Sequence, residues 1–338
     1  MAARHSVRIG VYGTGGWANR THIPNLKKID GAEIVAVCDI DAAAVESTAA
    51  AFDIPSSYRD GHDMLAAEDL DILYSVVPAF ARTDVEAVEA EKGIHLFSEK
   101  PQALTMAVAR RIDEAVHKAG VLSTVCFRER YRPIFQEARR LLENEEVVHV
   151  HFMSPSGLPL PSPPDDAGDN WHHRMDKAGG RAFDWGVHAV DYSRFMTGLD
   201  VVKAQAFYHD PDRYITPLSS SFNFCLSNGA TATLSFVSAG PTTPPNTPWF
   251  TIFYEGGYVA IFKYERIEQN GEIVYEAEEF DPWFEQDRIF IEAVRSGDGS
   301  GILNDYRDGL LSLAPVLAGW ESARRHGECI DVAAFLEA

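Results

Sequence analysis

Two short motifs carry side chains of the kinds that handle protons at a hydroxyl group. Lys100 lies between Glu99 and Pro101, directly after an apolar run that predicts a strand. Asp184 and His188 are four residues apart, a spacing that places both on one face of a helix. These three side chains are the candidate catalytic residues.

Oxidation of an alcohol removes a hydride from carbon and a proton from oxygen, and the protein must handle the proton. An unperturbed histidine has a pKa of about 6.5, so it is a ready base at neutral pH. A lysine, with an ordinary pKa of about 10.4, would need a fall of about three units to serve. We therefore predict that His188 takes the proton, that Asp184 orients it and that Lys100 stabilises the forming alkoxide.

The same residues also have plainer interpretations. Asp184 and His188 could form a structural pair, and a lysine after a strand is usually a solvated loop residue. His172, His173 and His188 lie within one segment and could suggest a metal site. Adjacent histidines point to different sides of any regular element, however, and no strict metal spacing appears. We predict no bound metal.

A glycine-rich turn follows the first predicted strand, and it comprises Gly13, Thr14, Gly15, Gly16, Trp17 and Ala18. Glycines allow a tight turn and let the backbone approach a pyrophosphate, while the small Ala18 lets the next helix pack on the strand. The helix N-terminus then offers free N–H groups to the phosphates. Asp39 ends the second strand, where a carboxylate can accept hydrogen bonds from ribose hydroxyls and repels the 2′-phosphate of NADP.

The predicted cofactor site therefore consists of this turn together with Asp39, Pro78 at the end of the third clear strand, and Glu99 before the lysine. NAD is the predicted cofactor. Arg59 could fold back to hold a 2′-phosphate, so NADP remains an alternative.

The elements needed to position these residues fall into two parts. Short apolar runs alternate with helical stretches over the first third of the chain, which predicts a doubly wound parallel sheet, an α/β Rossmann domain over residues 1–126. Longer strand-like segments follow, with Asn228-Gly229 as a hairpin signal. They predict an open, mostly antiparallel α+β domain over residues 127–338 for substrate binding and oligomerisation, whose C-terminal helix could pack back on the first domain.

The overall charge limits the classes of partner. The chain has 30 lysines and arginines against 50 aspartates and glutamates, a net charge of −20, which disfavours nucleic acid and anionic membranes. No apolar run approaches the roughly 20 residues that a membrane span needs, and the first residues lack a signal core. The four cysteines have no paired spacing, which fits a reducing cytoplasm.

Taken together, the motifs resemble the glucose-fructose oxidoreductase / inositol dehydrogenase / rhizopine-catabolism (Gfo/Idh/MocA) family. The resemblance rests on the glycine turn, Asp39, the Glu99-Lys100-Pro101 motif and the run from Gly179 to Asp191. Two positions depart from the family pattern. Arg82 stands roughly where a histidine is usual, and Arg181 stands where many members have a third glycine.

The resemblance implies an NAD(P)-dependent dehydrogenase that acts on CH–OH groups of sugars, polyols or sugar derivatives. It also implies a homodimer or homotetramer. Such substrates suit a site rich in hydrogen-bonding groups, and the predicted substrate residues are Lys100, Arg128, Trp171, His172 and His188. His173, Arg174 and Arg130 could also line this site.

Two other functions remain open. The chain could be a non-catalytic NAD(P)-binding regulatory protein, or it could retain its cofactor for transient oxidation, as in glycoside-processing or sugar–sugar oxidoreductases. A pure sensor has no chemical need of Lys100, Asp184 and His188, so their presence favours an enzyme. Net NADH production from a sugar would argue against the transient use of the cofactor.

Overall fold

The computed structural model describes residues 6–161, 175–178, 180–240, 244 and 246–338. The chain divides into two units, one of Met1–Tyr131 with Asp281–Leu310 and the other of Arg132–Phe280 with Leu311–Ala338. Each unit is built around its own sheet. The domain limits predicted from the sequence, 1–126 and 127–338, remain a prediction. In the structure, residues 281–310 belong to the first unit.

The first unit contains a parallel sheet whose central strands are apolar and buried. Its strands are β1 (Val7–Tyr12), β2 (Ala32–Cys38), β3 (Ser56–Tyr58), β4 (Ile72–Ser75), β5 (His95–Ser98) and β6 (Ser123–Val125). They lie in the order β3-β2-β1-β4-β5-β6, and every pair is parallel. The order reverses between β1 and β4, where sheets of this kind bind ligands beyond the strand ends. The predicted doubly wound parallel sheet is confirmed.

The second unit contains a nine-stranded sheet in the order β14-β13-β12-β11-β7-β10-β9-β8-β15. Its strands are β7 (Val147–Ser156), β8 (Val201–His209), β9 (Ser219–Leu226), β10 (Thr231–Ser238), β11 (Phe250–Tyr254), β12 (Gly257–Phe262), β13 (Arg266–Gln269), β14 (Glu272–Glu276) and β15 (Ile330–Asp331). Only β7 and β10 pair in parallel among these described strands. Buried residues alternate with exposed ones along β9 and mostly with half-buried ones along β10, as expected for a sheet with one covered face. The predicted mostly antiparallel sheet is confirmed.

The α-helices accompany the strands of both units. In chain order they are α1 (Ile23–Leu26), α2 (Ala42–Ala51), α3 (Gly61–Ala67), α4 (Val85–Glu91), α5 (Met106–Ala119), α6 (Pro133–Leu142), α7 (Met175–Ala178), α8 (Gly180–Asp184), α9 (Gly186–Thr197), α10 (Pro282–Ser296), α11 (Tyr306–Arg324) and α12 (Val332–Glu337). Within residues 6–161, 175–178, 180–240, 244 and 246–338, no helix combines the length and the apolar character that crossing a bilayer requires.

The helix predicted from residue 18 to residue 29 is shorter and irregular. Residues Ala18–His22 form a π-helical turn, closed by a hydrogen bond from the Ile23 N–H to the Ala18 carbonyl. Helix α1 then ends at Leu26. Pro24 has no N–H and cannot donate to the carbonyl four residues before it, so the wider turn accommodates the missing hydrogen bond.

The sequence pattern does not predict β3 or α3. Strand β3 reads Ser-Ser-Tyr and lies at the sheet edge, where pairing with one neighbour needs no apolar run. Helix α3 begins after Asp60, whose side chain accepts hydrogen bonds from the N–H groups of His62 and Asp63. Short elements of this kind depend on the neighbours that they pack against.

Candidate functional site

The glycine turn leaves β1 in a conformation that suits glycine. Gly13 has a φ of +101°, and its N–H donates to the Cys38 carbonyl at 2.8 Å. A Cβ added to Gly13 would lie 2.8 Å from the carbonyl carbon and oxygen of Val76, whereas one added to Gly15 would meet nothing within 4 Å. A side chain at Gly13 would therefore clash with the backbone at Val76, whereas the space beside Gly15 is open. An open backbone loop ahead of a helical turn fits the pyrophosphate of a dinucleotide.

Asp39 directly follows β2 and holds the glycine turn. Its Oδ2 accepts hydrogen bonds from the Thr14 N–H at 2.7 Å and the Thr14 hydroxyl at 3.1 Å, and its Oδ1 accepts one from the Asp41 N–H. Arg59 does fold back toward this place, since its guanidinium donates to the Ile40 carbonyl at 3.1 Å. The carboxylate and the arginine thus directly follow two neighbouring parallel strands, β2 and β3, so the arrangement fits the ribose end of the cofactor.

Glu99 joins the glycine turn to the lysine motif. Its Oε1 accepts a hydrogen bond from the Trp17 indole N–H at 2.7 Å and lies 3.0 Å from His22 Nε2. Its Oε2 accepts a hydrogen bond from the backbone N–H of Lys100 at 2.9 Å. On its other side, the His22 imidazole places Nδ1 3.0 Å from Asp287. One carboxylate therefore ties together the turn, the following helical segment and the backbone of Lys100.

The ionisation of this buried network follows from its partners. Burial raises the pKa of Glu99, but the hydrogen bond and charge of His22, the charge of Lys100 and the Trp17 indole outweigh it and lower that pKa to about 2. Burial lowers the pKa of His22, but the charge and hydrogen bond of Asp287 raise it well above its usual range. Glu99 is therefore an anion, and His22 is a cation held between two carboxyl groups.

The same place gathers three potential metal ligands, which are His22, Glu99 and Cys126, all buried and within 4.8 Å of one another. Both imidazole nitrogens of His22 already lie at hydrogen-bond distance from carboxylates. Burial raises the pKa of the Cys126 thiol to about 12, so the thiolate that a metal requires is disfavoured. The chemistry of this cluster is that of an ion-pair network.

His22 and Asp287 were missing from the sequence prediction. His22 lies in the helical segment after the glycine turn, and Asp287 lies in α10, more than 260 residues away. The one available signal was a histidine on a helix that begins at a cofactor turn. Nothing in the sequence joins it to an aspartate so distant in the chain.

The chain after β4 passes close to the turn and holds two residues singled out in the sequence. Pro78 precedes a 3₁₀ turn over Ala79–Ala81. Arg82 is buried, and its Nη1 donates to the Ser75 hydroxyl and to Glu86 at 3.0 Å each. Its Nη2 donates to the Glu99 carbonyl. Arg82 therefore braces the lysine motif from inside the first unit.

Arg128 and two tryptophans form a stack beside the glycine turn. The guanidinium of Arg128 lies 4.2 Å from the ring centroid of Trp283, whose ring meets that of Trp17 edge to face at 5.8 Å. Arg128 is buried, and Trp17 is 39% exposed. The stack therefore brings Arg128, a predicted substrate residue, close to Trp17, a predicted cofactor residue. The sequence indicates Arg128 only through its hydrogen-bonding group.

In the second unit, His188 lies on α9 and is almost fully buried. Its Nδ1 is 2.8 Å from the Tyr192 hydroxyl, one helical turn further on. Asp184 is the last residue of α8, and Trp185 separates the two helices. The predicted helix that carries both residues is therefore interrupted between them. Tyr192 was not predicted, although its spacing from His188 is the same four residues that singled out Asp184.

Trp171 and His172 lie outside the described residues, as do His173 and Arg174. Arg130, also named as a possible lining residue, is buried in the first unit, where it donates to the Leu303 carbonyl at 2.8 Å and pairs with Asp308.

Two family models match the chain. One, described as an oxidoreductase family with an NAD-binding Rossmann fold, matches residues 7–127, and the other, the GFO/IDH/MocA C-terminal domain, matches residues 135–260. The chain is 32% identical to the D-apiose dehydrogenase of Paraburkholderia graminis over 199 residues, which are 56% of this chain and 50% of that protein. It is 25% identical to the myo-inositol 2-dehydrogenase of Thermotoga maritima over 195 residues, 58% of this chain and 56% of that protein.

The chain thus spans about half the length of the curated relatives that it matches. Among solved structures, an oxidoreductase of Agrobacterium radiobacter in complex with NAD⁺, L-tartaric acid and magnesium has a TM-score of 0.81 and 20% identity. The match covers 97% of this chain and 99% of that chain. At this level of identity, the likeness concerns the fold.

Proposed function

Because the chain belongs to the Gfo/Idh/MocA family of oxidoreductases, we propose that it is an NAD-dependent dehydrogenase of a hydroxyl carbon in a sugar, polyol or sugar derivative. The observation that carries the proposal is the Glu99 carboxylate, which joins the glycine turn to the backbone of Lys100. A loop that served only to bind a nucleotide would not require a hydrogen-bonded connection to the backbone of a lysine. The relatives named for apiose and inositol support the substrate class.

The first unit is proposed to hold the cofactor. Its binding residues are the glycine turn, which comprises Gly13, Thr14, Gly15, Gly16, Trp17 and Ala18, together with Asp39, Pro78 and Glu99. Bound NAD supplies the acceptor for the hydride. We propose NAD over NADP because Asp39 presents a carboxylate where the 2′-phosphate would lie. Arg59, which donates to the neighbouring Ile40 carbonyl, is the residue through which NADP could be accommodated.

The proton is proposed to pass to His188. Its Nε2 can act as base only if Nδ1 carries the hydrogen, which then donates to the Tyr192 oxygen at 2.8 Å. Asp184 is proposed to support the imidazolium that forms. Lys100, whose backbone is held by Glu99, is proposed to donate to the substrate oxygen as negative charge develops on it. Arg128, Trp171 and His172 are the further residues proposed to contact the substrate.

The test is NADH formation, followed by absorbance with a panel of sugars and polyols and with both NAD⁺ and NADP⁺. His188→Ala should lower turnover by about a hundredfold or more while NAD affinity is retained, because proton transfer alone is affected. His117→Ala, an exposed histidine at the end of α5, is the matched control and should behave like the wild type. Near-normal turnover of His188→Ala would remove this residue from the mechanism, and NAD binding without any turnover would favour a regulatory protein.

We also propose that the chain forms a homodimer or homotetramer through the face of the second sheet that the described residues leave uncovered. Phe253 on β11 is 41% exposed and lies beside His149 on β7, and Phe207 on β8 is 51% exposed. Aromatic groups exposed across one sheet are stabilised when a second copy covers them. Light scattering should give a dimer or tetramer for the wild type and a smaller species for Phe253→Glu, whereas a monomeric wild type would overturn this proposal.

A reducing cytoplasm is the compartment we propose. All four cysteines are free, and Cys225 and Cys329 are exposed thiols that an oxidising compartment tends to convert to disulfides. Fractionation of the producing cells checks the location. Recovery of the protein with oxidised Cys225 would contradict it.

A further inference from the structure

His22 and Asp287 form a buried pair beside the lysine motif, and the proposed proton transfer uses neither of them. His22 ends the π-helical turn that follows the glycines, and Asp287 lies in α10. Both side chains are completely excluded from solvent. The imidazole Nδ1 lies 3.0 Å from Asp287, and its Nε2 lies 3.0 Å from Glu99. Because desolvation offsets much of the attraction within a buried ion pair, stability alone does not account for this one.

The surroundings of His22 strengthen the effect of these two carboxylates. The ring of Phe97 lies 5.1 Å away and that of Tyr74 lies 5.8 Å away, and aromatic rings screen charge far less than water does. Cys126 also faces the imidazole. Burial raises the pKa of the Cys126 thiol to about 12 and that of the Tyr74 hydroxyl well above its usual range, so both stay uncharged. The charges that face the imidazole are therefore those of the two carboxylates, one from α10 and one after β5.

Glu99 transmits the effect of this pair to the lysine motif. Its Oε1, which faces the imidazole, also accepts the hydrogen bond of the Trp17 indole at 2.7 Å, and its Oε2 accepts the backbone N–H of Lys100 at 2.9 Å. The residue is only 6% exposed. A carboxylate whose two oxygens are both engaged by donors is a poor base, but it can fix the backbone that it binds.

We propose that His22 and Asp287 are positioning residues of the dehydrogenase. They hold Glu99 as an oriented anion, which in turn keeps Lys100 where negative charge develops on the substrate oxygen. The glycine turn has a further support, because Asp39 accepts two hydrogen bonds from it. Loss of the pair should therefore affect the reaction more than the binding of NAD. The inference rests on the proposed dehydrogenase function, because it names residues that serve the same site.

The kinetic experiment uses the full chain with NAD⁺ and tests D-apiose, D-xylose and myo-inositol as substrates. Asp287→Asn should lower kcat by about tenfold or more and leave KM for NAD⁺ within about twofold, because the position of Lys100 matters chiefly in the transition state. Glu292→Gln, the same kind of change at an exposed position of α10, is the matched control and should behave like the wild type. An unchanged kcat in Asp287→Asn, or a rise in KM for NAD⁺ with kcat kept, would overturn the proposal.

The pH dependence of kcat separates positioning from a purely structural role. Burial lowers the pKa of His22, but the charge and hydrogen bond of Asp287 raise it well above its usual range. Without that charge the pKa should fall, so the kcat of Asp287→Asn relative to the wild type should decrease from about pH 6 to about pH 8 as the imidazolium loses its proton. His22→Gln has no such proton, and its deficit should not change with pH. A pH-independent deficit in Asp287→Asn would overturn the proposal.

A milder variant covers the case in which Asp287→Asn does not fold, since removing one partner of a buried ion pair is strongly destabilising. Asn25 donates a hydrogen bond to Asp287 Oδ2 at 3.1 Å. Asn25→Ala deletes this bond and leaves both charges, so kcat should fall by about threefold with KM for NAD⁺ kept. Far-UV circular dichroism shows which variants are folded, and a folded Asn25→Ala with the kcat of the wild type would overturn the proposal.

A second experiment needs no substrate and follows the backbone amide of Lys100 by NMR in protein that carries isotopically labelled lysine. Lys100→Arg identifies the signal by its loss. Because the hydrogen bond to Glu99 is charge-assisted, this amide should exchange slowly with solvent in the wild type and in Glu292→Gln, and faster in Asp287→Asn. If no sugar is oxidised and exchange is faster in Asp287→Asn, the dehydrogenase fails and the positioning of Lys100 stands. If sugars are oxidised and neither exchange nor kcat changes, the dehydrogenase stands and this inference fails.

Discussion

Replacing Glu99 by glutamine tests the network that joins the glycine turn to Lys100. The substitution keeps the shape of the side chain and one carbonyl oxygen, but it removes the negative charge that faces His22 at 3.0 Å. The imidazolium would then keep only Asp287 as a charged partner in the described network. We expect Glu99→Gln to destabilise the folded protein and to loosen the backbone of Lys100.

The magnitude follows from the pKa of Glu99, which is lowered from 4.5 to about 2 in the folded chain. A shift of this size corresponds to about 3 kcal/mol of stability at neutral pH. Because the folded pKa lies below the unfolded one, this contribution is complete above pH 4.5 and is lost as the pH falls toward 2. The deficit of Glu99→Gln should therefore be about 3 kcal/mol at pH 7 and about 2 kcal/mol at pH 3.5.

Urea unfolding followed by circular dichroism at pH 7, 5 and 3.5 measures this deficit. Glu91→Gln, at an exposed position of α4, is the matched control and should unfold like the wild type. A deficit below about 0.5 kcal/mol at pH 7 would refute the reasoning. So would a deficit that grows as the pH is lowered, because the sign of the pKa shift would then be wrong.

Three further substitutions test other parts of the site. Gly13→Ala places a Cβ 2.8 Å from the Val76 carbonyl, at a residue with a positive φ. The affinity for NAD, measured by fluorescence titration, should therefore fall by about tenfold or more. An unchanged affinity would contradict this. Asp39→Ser should raise KM for NAD⁺ and lower it for NADP⁺ in the absorbance assay, and a parallel change for both cofactors would deny Asp39 its selective role. Tyr192→Phe removes the hydroxyl at His188 Nδ1, so kcat should fall by about fivefold while NAD affinity is kept; an unaltered kcat would exclude Tyr192 from positioning the base.

Much of the architecture is determined by local patterns of the sequence. The strand over Val7–Tyr12 is an apolar β-rich run followed by glycines, so both its identity and its end are local properties. The same holds for α5, whose N-terminus is capped by Thr105 and which ends at Gly120 in the left-handed region. Alternation of such runs sufficed to predict a parallel sheet followed by an antiparallel one.

The candidate site was predictable as far as its motifs are continuous in the chain. The glycine turn, Asp39 and the Glu99-Lys100-Pro101 motif each follow a strand of one parallel sheet, and the carboxyl ends of such strands meet at one edge. The sequence by itself therefore determined which residues of the first unit follow the strands at that edge. It did not determine what each of them touches.

Only the tertiary structure decided those contacts. Asp287 reaches His22 because α10 packs in the first unit, although the two residues are far apart in the chain. The sequence indicates Arg82 only as a departure from the family pattern. In the structure, its buried guanidinium donates a hydrogen bond to the Glu99 carbonyl. Hydrogen bonds and ion pairs between distant segments depend on which elements pack together, and the spacing of residues within one element does not show this. The sequence therefore determined the kinds of chemistry available, and the fold decided which side chains hold one another in place.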